Sequence, residues 1–340
     1  MSVLRVLLLI PALIYGFITE VRNQLFKKGI LKSVQFDVAT IAVGNLAVGG
    51  SGKTPMIHFL INQLYSKRTL AVLSRGYGRK TKGFYEVLEG LEAETTGDEP
   101  LEIKRKHPNI RVFVCEDRVM GVAELMRVAP ETNLVLLDDA FQHQYIKPHI
   151  SLLLSDAKKP FYQDFMMPFG RLREFAFNHK RANAVIFTKA GPGFYIPPKQ
   201  RSKISRPIFI SSLKTKGAKA TIERLPDLQP RSEVVVVSAL ANNAAFVNAV
   251  HSQYSVQDTF VFRDHYPYKS IDIQRITKES ENLPVVTTSK DWVKLEPLFK
   301  QNPHPAGVYV MQAEVQFVEE EKFVEWLQNK LAEVEPKADE

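Results

Sequence analysis

The chain has a single cysteine, Cys115, in 340 residues. That excludes an intramolecular disulfide and a zinc site of clustered thiolates, and it fits a reducing compartment. There is no low-complexity tract and no internal repeat, so solenoid and linker-like architectures are excluded. No apolar run has the length of an ordinary membrane span, and the sequence leaves open whether the N-terminal one lies on the bilayer or is a short anchor in it. The candidate run, VLLLIPALIYGFI at residues 6 to 18, would reach about 20 Å as a helix against the roughly 30 Å of a hydrocarbon core. Pro11 is expected to kink it, and no small-x-small cleavage site follows to make it a signal peptide. Acid is in deficit: 45 Lys and Arg against 37 Asp and Glu leave a formal charge of +8. The surplus suits an anionic partner, such as a nucleotide, a phosphorylated substrate, a membrane surface or a nucleic acid, without choosing among them.

What is present is an ordinary globular composition, 45% hydrophobic and 24% charged, in a chain long enough for two domains. Arg22, Lys27, Lys28 and Lys32 follow the apolar N-terminus. An apolar wedge with a basic flank reads as a helix lying in, or dipping into, the cytoplasmic face of a membrane. The alternative is a helix buried against the body of the protein. Strands are expected at 38–43, 69–73, 112–115, 134–137, 150–154 and 184–187, with helices at 55–65 and 118–128 between them. Such alternation predicts an α/β fold, a largely parallel sheet flanked by helices. From 192 to 230 the texture turns to linker chemistry. A second α/β pattern then takes in 234–237, 283–286 and 307–311 and closes with an amphipathic helix carrying Phe323, Trp326, Leu327 and Leu331. The expected division is an N-terminal membrane-associating helix (1–30), a P-loop domain (31–212), a linker (213–232), a smaller α/β domain closing a cleft (233–332) and a disordered tail (333–340).

The chemistry concentrates in a few stretches. VGNLAVGGSGKTP, residues 43 to 55, lies between an expected strand and helix and ends as a phosphate-binding loop ends. Gly49, Gly50 and Gly52 give the backbone freedom to wrap phosphate oxygens. Lys53 supplies a point charge and Thr54 a hydroxyl for Mg²⁺. Ala47 stands where the strict pattern has glycine, so the loop proper is Ala47, Val48, Gly49, Gly50, Ser51, Gly52, Lys53 and Thr54. The alternative is a tight glycine turn without a ligand. LVLLDDAFQH, residues 134 to 143, ends an apolar strand in Asp138 and Asp139, at the sheet edge where ligands of open α/β folds gather. In GDEP, residues 97 to 100, Asp98 reads on its own as a helix cap. SRGYGRK (74–80) and GRLRE (170–174) place Arg75, Arg79, Arg171 and Arg173 on loops that either are solvated or cradle anions. RDHYPY (263–268) brings Asp264 and His265 in the second half.

Taken together, these motifs resemble the lipid A 4′-kinase (tetraacyldisaccharide 4′-kinase) family of Gram-negative bacteria. The resemblance rests on VGNLAVGGSGKTP, LSRGYGR (73–79), GDEP, DDAFQH (138–143), PFGRLRE (168–174) and RDHYPY in order, covering about residues 40 to 295. In that family the first glycine of the general pattern is not required, so Ala47 is no defect. Departures lie in the second half, at SALANNAAF (238–246) and at TTSKDWVKL (287–295), where Ser289 replaces an acid. The resemblance implies transfer of the γ-phosphoryl of ATP to the 4′-hydroxyl of a tetraacyl glucosamine disaccharide 1-phosphate, giving lipid IVA. Together with general phosphoryl-transfer logic, it implies phosphate contacts from Lys53 and the loop, and Mg²⁺ on Thr54 and Asp138, with Asp139 and Gln142 as further candidates. It implies an Asp98–His265 pair that accepts or orients acceptance of the sugar proton, and Arg171 and Arg118 as neutralisers of the transferring group. Asn45, Arg75, Arg79 and Arg173 are the candidate substrate contacts. The expected protein is a monomer on the cytoplasmic face of the inner membrane, with no nucleic acid partner. A competing reading is a P-loop ATPase switch acting on a protein partner at the membrane. A guanine-specific version is disfavoured because TKAG, residues 188 to 191, lacks the acid of an N-K-x-D segment.

Overall fold

The computed structural model describes residues 7–222 and 225–334. The expected tail lies, from residue 335 on, outside the described residues, as does the start of the N-terminal apolar run. Among the described residues twelve strands form: β1 Ala39–Asn45, β2 Leu70–Ser74, β3 Tyr85–Glu86, β4 Arg111–Val114, β5 Leu134–Asp138, β6 Ile150–Asp156, β7 Ala184–Thr188, β8 Ile208–Ala220, β9 Glu233–Ser238, β10 Ser255–Val261, β11 Val285–Thr288 and β12 Val308–Phe317. The principal helices are α1 Leu9–Lys27, α2 Lys53–Leu64, α3 Asp98–Lys106, α4 Arg118–Val128, α5 Asn243–His251, α6 Ser270–Glu279, α7 Ser289–Gln301 and α8 Glu320–Ala332.

The strands lie in the order β10-β9-β11-β12-β8-β7-β6-β1-β5-β2-β4-β3. Pairing is parallel except at β3/β4 and β8/β12. The fold is α/β, with helices covering the sheet. Strands β1, β2 and β5 are buried throughout, which is why they read as unbroken apolar runs rather than alternating ones. The β1/β5 register pairs Val43 with Asp138. Two parallel strands ending in register deliver the glycine loop and the Asp138–Asp139 pair to the same edge.

Two expectations about the second half need correction. The linker expected from 213 to 232 is strand as far as Ala220. β8 pairs in parallel with β7 through Ile208–Ile210 and then antiparallel with β12 from Ser211 opposite Phe317 to Ala220 opposite Tyr309. Its lysines and glycine read as linker because the middle of the strand is solvent-facing. The C-terminal helix was expected in the second unit. Instead Phe323, Leu327 and Leu331 of α8 enter the core built on α2 and β1, with Phe323 stacked 4.2 Å from Phe317 and near Phe59.

The N-terminal helix is polarised in an unusual sense. Ala12, Gly16, Asn23 and Phe26 face the body. At Gly16 an added Cβ would lie 2.7 Å from the Phe175 ring, so any side chain there would have to displace that ring. Leu13, Ile14, Phe17 and Ile18 face outward, each more than half exposed. Pro11 falls in the first turn of Leu9–Lys27 rather than in its interior. A missing N–H there costs little, and the expected mid-helix kink has no cause. Among the described residues no helix is long and apolar enough to cross a membrane.

Candidate active site

The glycine loop is held by the GRLRE segment. Val48 N donates to Arg171 O at 2.8 Å, Arg173 N donates to Leu46 O at 2.8 Å, and Ala47 bridges antiparallel to Leu172. Positive φ falls at Gly49 (108°) and Gly52 (85°), not at position 47. Extended backbone in a bridge accepts alanine, which removes the need for the missing glycine. Gly52 precedes the first turn of α2, whose opening residues are Lys53 and Thr54. The free N–H groups of that turn and the helix dipole make a ready anion site. Ser51 Oγ is buried there without a protein partner.

Opposite stands the end of β5. Asp138 is 1% exposed. One of its carboxylate oxygens accepts from Ser74 Oγ at 2.9 Å, and the other, Oδ1, has no protein partner. Burial and then the charge of Asp139 push its pKa up. Asp139 has φ 47°, a backbone region that non-glycine residues seldom take. This turn sets its carboxylate 3.7 Å from Lys53 Nζ and 3.5 Å from Arg173 Nη1. Burial opposes its ionisation, but Lys53 and Arg173 outweigh burial and its pKa is lowered. A buried carboxylate oxygen with a spare lone pair, beside a second carboxylate and a helix-borne threonine, fits a hard divalent cation that also takes phosphate oxygens and water.

The third group spans the two halves. Asp98 opens α3, but its side chain caps nothing. Its Oδ2 lies 3.1 Å from His265 Nδ1 and 3.2 Å from Lys294 Nζ. Burial raises its pKa, yet His265 and Lys294 prevail and the pKa is lowered. Lys290 Nζ is 3.1 Å from His265 Nε2. An ammonium only donates, so Nε2 accepts and Nδ1–H donates to Asp98. Lys290 also reaches Asp264 at 3.1 Å. His265 has φ 57° and packs its ring against Tyr77. Glu99 turns the other way, toward Asp138. Burial and the Asp138 charge raise its pKa to about 7.

A cavity of ≈ 410 Å³ opens against the acid pair, running from Tyr15, Thr19 and Arg22 of α1 to Arg75, Glu99 and Asp139. Arg173 and Gln142 line it as well. The remaining expected contacts lie elsewhere. Arg79 is buried, with its guanidinium on Glu116 and Gly83 O. Asn45 is buried beneath the loop, bonded to Ala47 O. Arg171 is tied to Asp164 at 2.7 Å. Arg118 is 2% exposed and donates to the carbonyls of Cys115 and Asp138. Burial lowers its pKa to about 10. Its guanidinium therefore supports the turn that aims Asp138 and does not face the loop. Gln142 donates to Asn45 O and Glu174, and accepts from Arg173. Sequence reasoning missed Glu99, Lys290, Lys294 and Glu174. Glu174 is buried and accepts from Asn23 of α1, Gln142 and Arg181, tying the N-terminal helix to the site.

The raised pKa of Glu99 has a measurable consequence. Between its unfolded value near 4.5 and its folded value of about 7, the folded state holds the extra proton. Stability from this group is therefore lost as pH rises through that window, and above it the buried charge costs about 1–3 kcal/mol. Glu99→Gln should raise the melting temperature of the nucleotide-free protein by a few degrees at pH 8 and by less at pH 5.5. An equal gain at both values would mean that Glu99 is not the group titrating.

The loop, the acid pair at the end of the neighbouring strand and the Asp–His pair across the cleft define a P-loop phosphotransferase of the small-molecule kinase kind. The chain belongs to the tetraacyldisaccharide-1-phosphate 4′-kinase family, whose model, LpxK, matches residues 4–332. It is 37% identical over 325 residues to the tetraacyldisaccharide 4′-kinase of Cytophaga hutchinsonii, covering 93% of this chain and 92% of the relative. To the enzyme of that name from Phocaeicola vulgatus it is 33% identical over 332 residues, covering 91% and 90%. A crystal structure of an "apo" form of LpxK from Aquifex aeolicus in complex with ATP superposes with a TM-score of 0.78 at 28% identity, covering 96% of this chain and 99% of that one.

Proposed function

We propose that this protein transfers the γ-phosphoryl of ATP to the 4′-hydroxyl of a tetraacyl glucosamine disaccharide 1-phosphate, giving lipid IVA, as a monomer at the cytoplasmic face of the inner membrane. The observation that carries this reading is the cavity that runs from α1 to the acid corner of Asp138 and Asp139, where Asp139 lies 3.7 Å from Lys53 of the phosphate loop. A soluble acceptor would need no such helix, and a switch ATPase would need no acceptor cavity.

Lys53 and the N–H groups of residues 49–54 hold the β- and γ-phosphates. Thr54, Asp138 and Asp139 are the groups for Mg²⁺, which when bound neutralises charge between the phosphates. Gln142, whose amide bonds Arg173 and Glu174, acts one step back by fixing that corner. Arg173, beside Asp139, is better placed than Arg171 to meet the transferring phosphoryl. Asp98, held ionised by Lys294 and His265, accepts the hydroxyl proton as the acceptor oxygen bonds to phosphorus. His265 orients it through Nδ1–H. Arg75 lines the cavity where an anionic phosphosugar would lie.

The direct test uses γ-labelled ATP, Mg²⁺ and the tetraacyl disaccharide 1-phosphate in mild detergent, with Lys53→Ala as control. Label is expected in the lipid and is expected to vanish in the control. Label released only as free phosphate would favour the switch reading. Membrane contact is tested separately. Ile14→Asp with Phe17→Asp should move the protein from sedimented anionic vesicles to the supernatant, since each buried side chain contributes about 1.5–3 kcal/mol. The melting temperature should not change, because both residues face outward. Retained binding would remove α1 from the membrane contact.

A further inference from the structure

Beside α1 the surface carries aromatic rings that the described residues leave uncovered and that phosphoryl transfer does not use. Phe165 is 60% exposed and Phe177 is 49% exposed. Phe165 meets Phe169 edge-on with ring centroids 5.2 Å apart, and Phe177 stacks on Phe175 at 5.4 Å. Single apolar residues on a surface need no explanation, but a contiguous patch marks a contact. Phe165 also sits on a turn that is held from several sides. Asp164 Oδ1 accepts from the N–H of Phe165 at 2.9 Å and from that of Arg171 at 3.2 Å. Gly170 N donates to Met166 O, and Leu172 N to Phe165 O, both at 2.8 Å. A Cβ at Gly170 would lie 2.3 Å from Phe165 O, so the turn has no room for a side chain there. A turn this restrained presents its ring already ordered, which lowers the entropic cost of a contact.

Both aromatic pairs converge on one point of α1. A Cβ at Gly16 would meet Met166 Cγ at 3.2 Å as well as the Phe175 ring. Asn178 Nδ2 donates to Glu20 Oε2 at 3.0 Å. At 100° per residue, Leu13 and Glu20 lie to one side of Gly16, and Tyr15 and Thr19 to the other. Residues 175–178 thus flank α1 on the side away from the cavity, which Tyr15 and Thr19 line. There they continue the outward apolar face of Leu13 and Phe17. Cations border the patch. Lys159, Lys180 and Arg206 are all exposed. Arg206 donates to Lys180 O at 2.7 Å, and Arg171 of the aromatic turn donates to Lys159 O at 3.3 Å.

We propose that Phe165 and Phe177, with Lys159, Lys180 and Arg206, form a second membrane contact beside α1. Its occupant is the interface of an anionic bilayer, because exposed apolar rings bordered by cations match acyl chains bordered by anionic headgroups. A single helix lying on a bilayer is free to roll about its own axis. A contact beside the helix removes that freedom and holds the cavity at one tilt to the lipid. The inference rests on the membrane reading of α1 and assigns a separate element to that contact.

The test is quenching of tryptophan emission by brominated acyl chains in phosphatidylethanolamine–phosphatidylglycerol vesicles, with no disaccharide lipid present. Phe165→Trp and Phe17→Trp are made separately in the full chain. Emission from the parent chain, whose Trp292 and Trp326 pack on Phe299 and Phe323, is subtracted as background. Both added tryptophans should be quenched. Phe165→Ser combined with Phe177→Ser should weaken vesicle binding about tenfold and leave ATP affinity as it was. Quenching at position 17 with none at 165 would overturn the proposal and leave α1 as the whole contact. Quenching at neither would remove the membrane reading of α1 and this proposal with it. Quenching at 165 that appears only once the tetraacyl lipid is added would make the rings a seat for substrate chains, and would overturn the proposal too. Unweakened vesicle binding in the double serine variant would do the same.

Discussion

Asp98→Asn should lower kcat by at least about a hundredfold while ATP affinity stays within about twofold. The carboxylate is not a loop ligand. It faces His265 and Lys294, both from the second half of the chain. Removing its charge leaves the phosphate cradle intact but deprives the acceptor hydroxyl of a proton acceptor. The effect has a ceiling, because a loose phosphoryl-transfer transition state asks little of a base. Its lowered pKa means that the acceptor stays ionised through the neutral range, so this group should not shape the pH profile near 7. His265→Ala should cost less than Asp98→Asn, because Lys294 still holds the carboxylate. Single-turnover rates and ATP binding measured on one preparation decide the matter. A kcat within tenfold of wild type in Asp98→Asn would take Asp98 out of the chemistry.

The sequence made this pair visible only by resemblance. Asp98 at the head of a helix reads as a cap, and a cap is what most such aspartates are. Its partner lies 167 positions away, and no local pattern encodes that distance. Lys290 and Lys294 left a fainter signal. They stand four apart on α7, so one helix face carries both, but a charged pair on a helix usually means solvent. Glu99 was hidden by its neighbour. Adjacent helical residues point about 100° apart, so Asp98 turns to the second half while Glu99 turns to Asp138.

The first half was more legible because its strands are buried on both faces and its motifs sit where strands end. The boundaries of β1, β5 and α4 fall within a residue or two of the apolar runs that mark them. The second half was less so. β8 carries lysines at positions that face solvent, so its ladder with β12 is invisible to hydropathy. Amphipathicity in α8 says that one face is covered, not which core covers it. Only the antiparallel return of β12 carries that helix back to α2. Ala47 illustrates the same limit at one residue: the pattern asks for glycine, and the Leu172 bridge explains why alanine serves.

Asp138→Asn should separate stability from activity. The carboxylate is fully buried, next to Asp139, and its pKa is raised. The sign follows from linkage. Above its ordinary pKa the unfolded chain gives up this proton more readily than the folded one, so stability from this group falls as pH rises into the neutral range. Neutralising the side chain should therefore raise the melting temperature of the nucleotide-free protein by a few degrees. Glu99→Gln relieves part of the same repulsion, so the two gains should add to less than their sum. Activity should move the opposite way. The buried Oδ1 without a protein partner is the donor best suited to Mg²⁺, and an amide oxygen there binds a hard cation weakly. Losing several kcal/mol of transition-state charge stabilisation corresponds to a kcat about a thousandfold lower. The strengthening of ATP binding by added Mg²⁺ should vanish with it. A variant that is more stable, inactive and indifferent to Mg²⁺ would place the ion on Asp138. One that keeps the Mg²⁺ increment would transfer that role to Asp139, whose lowered pKa already keeps it charged beside Lys53.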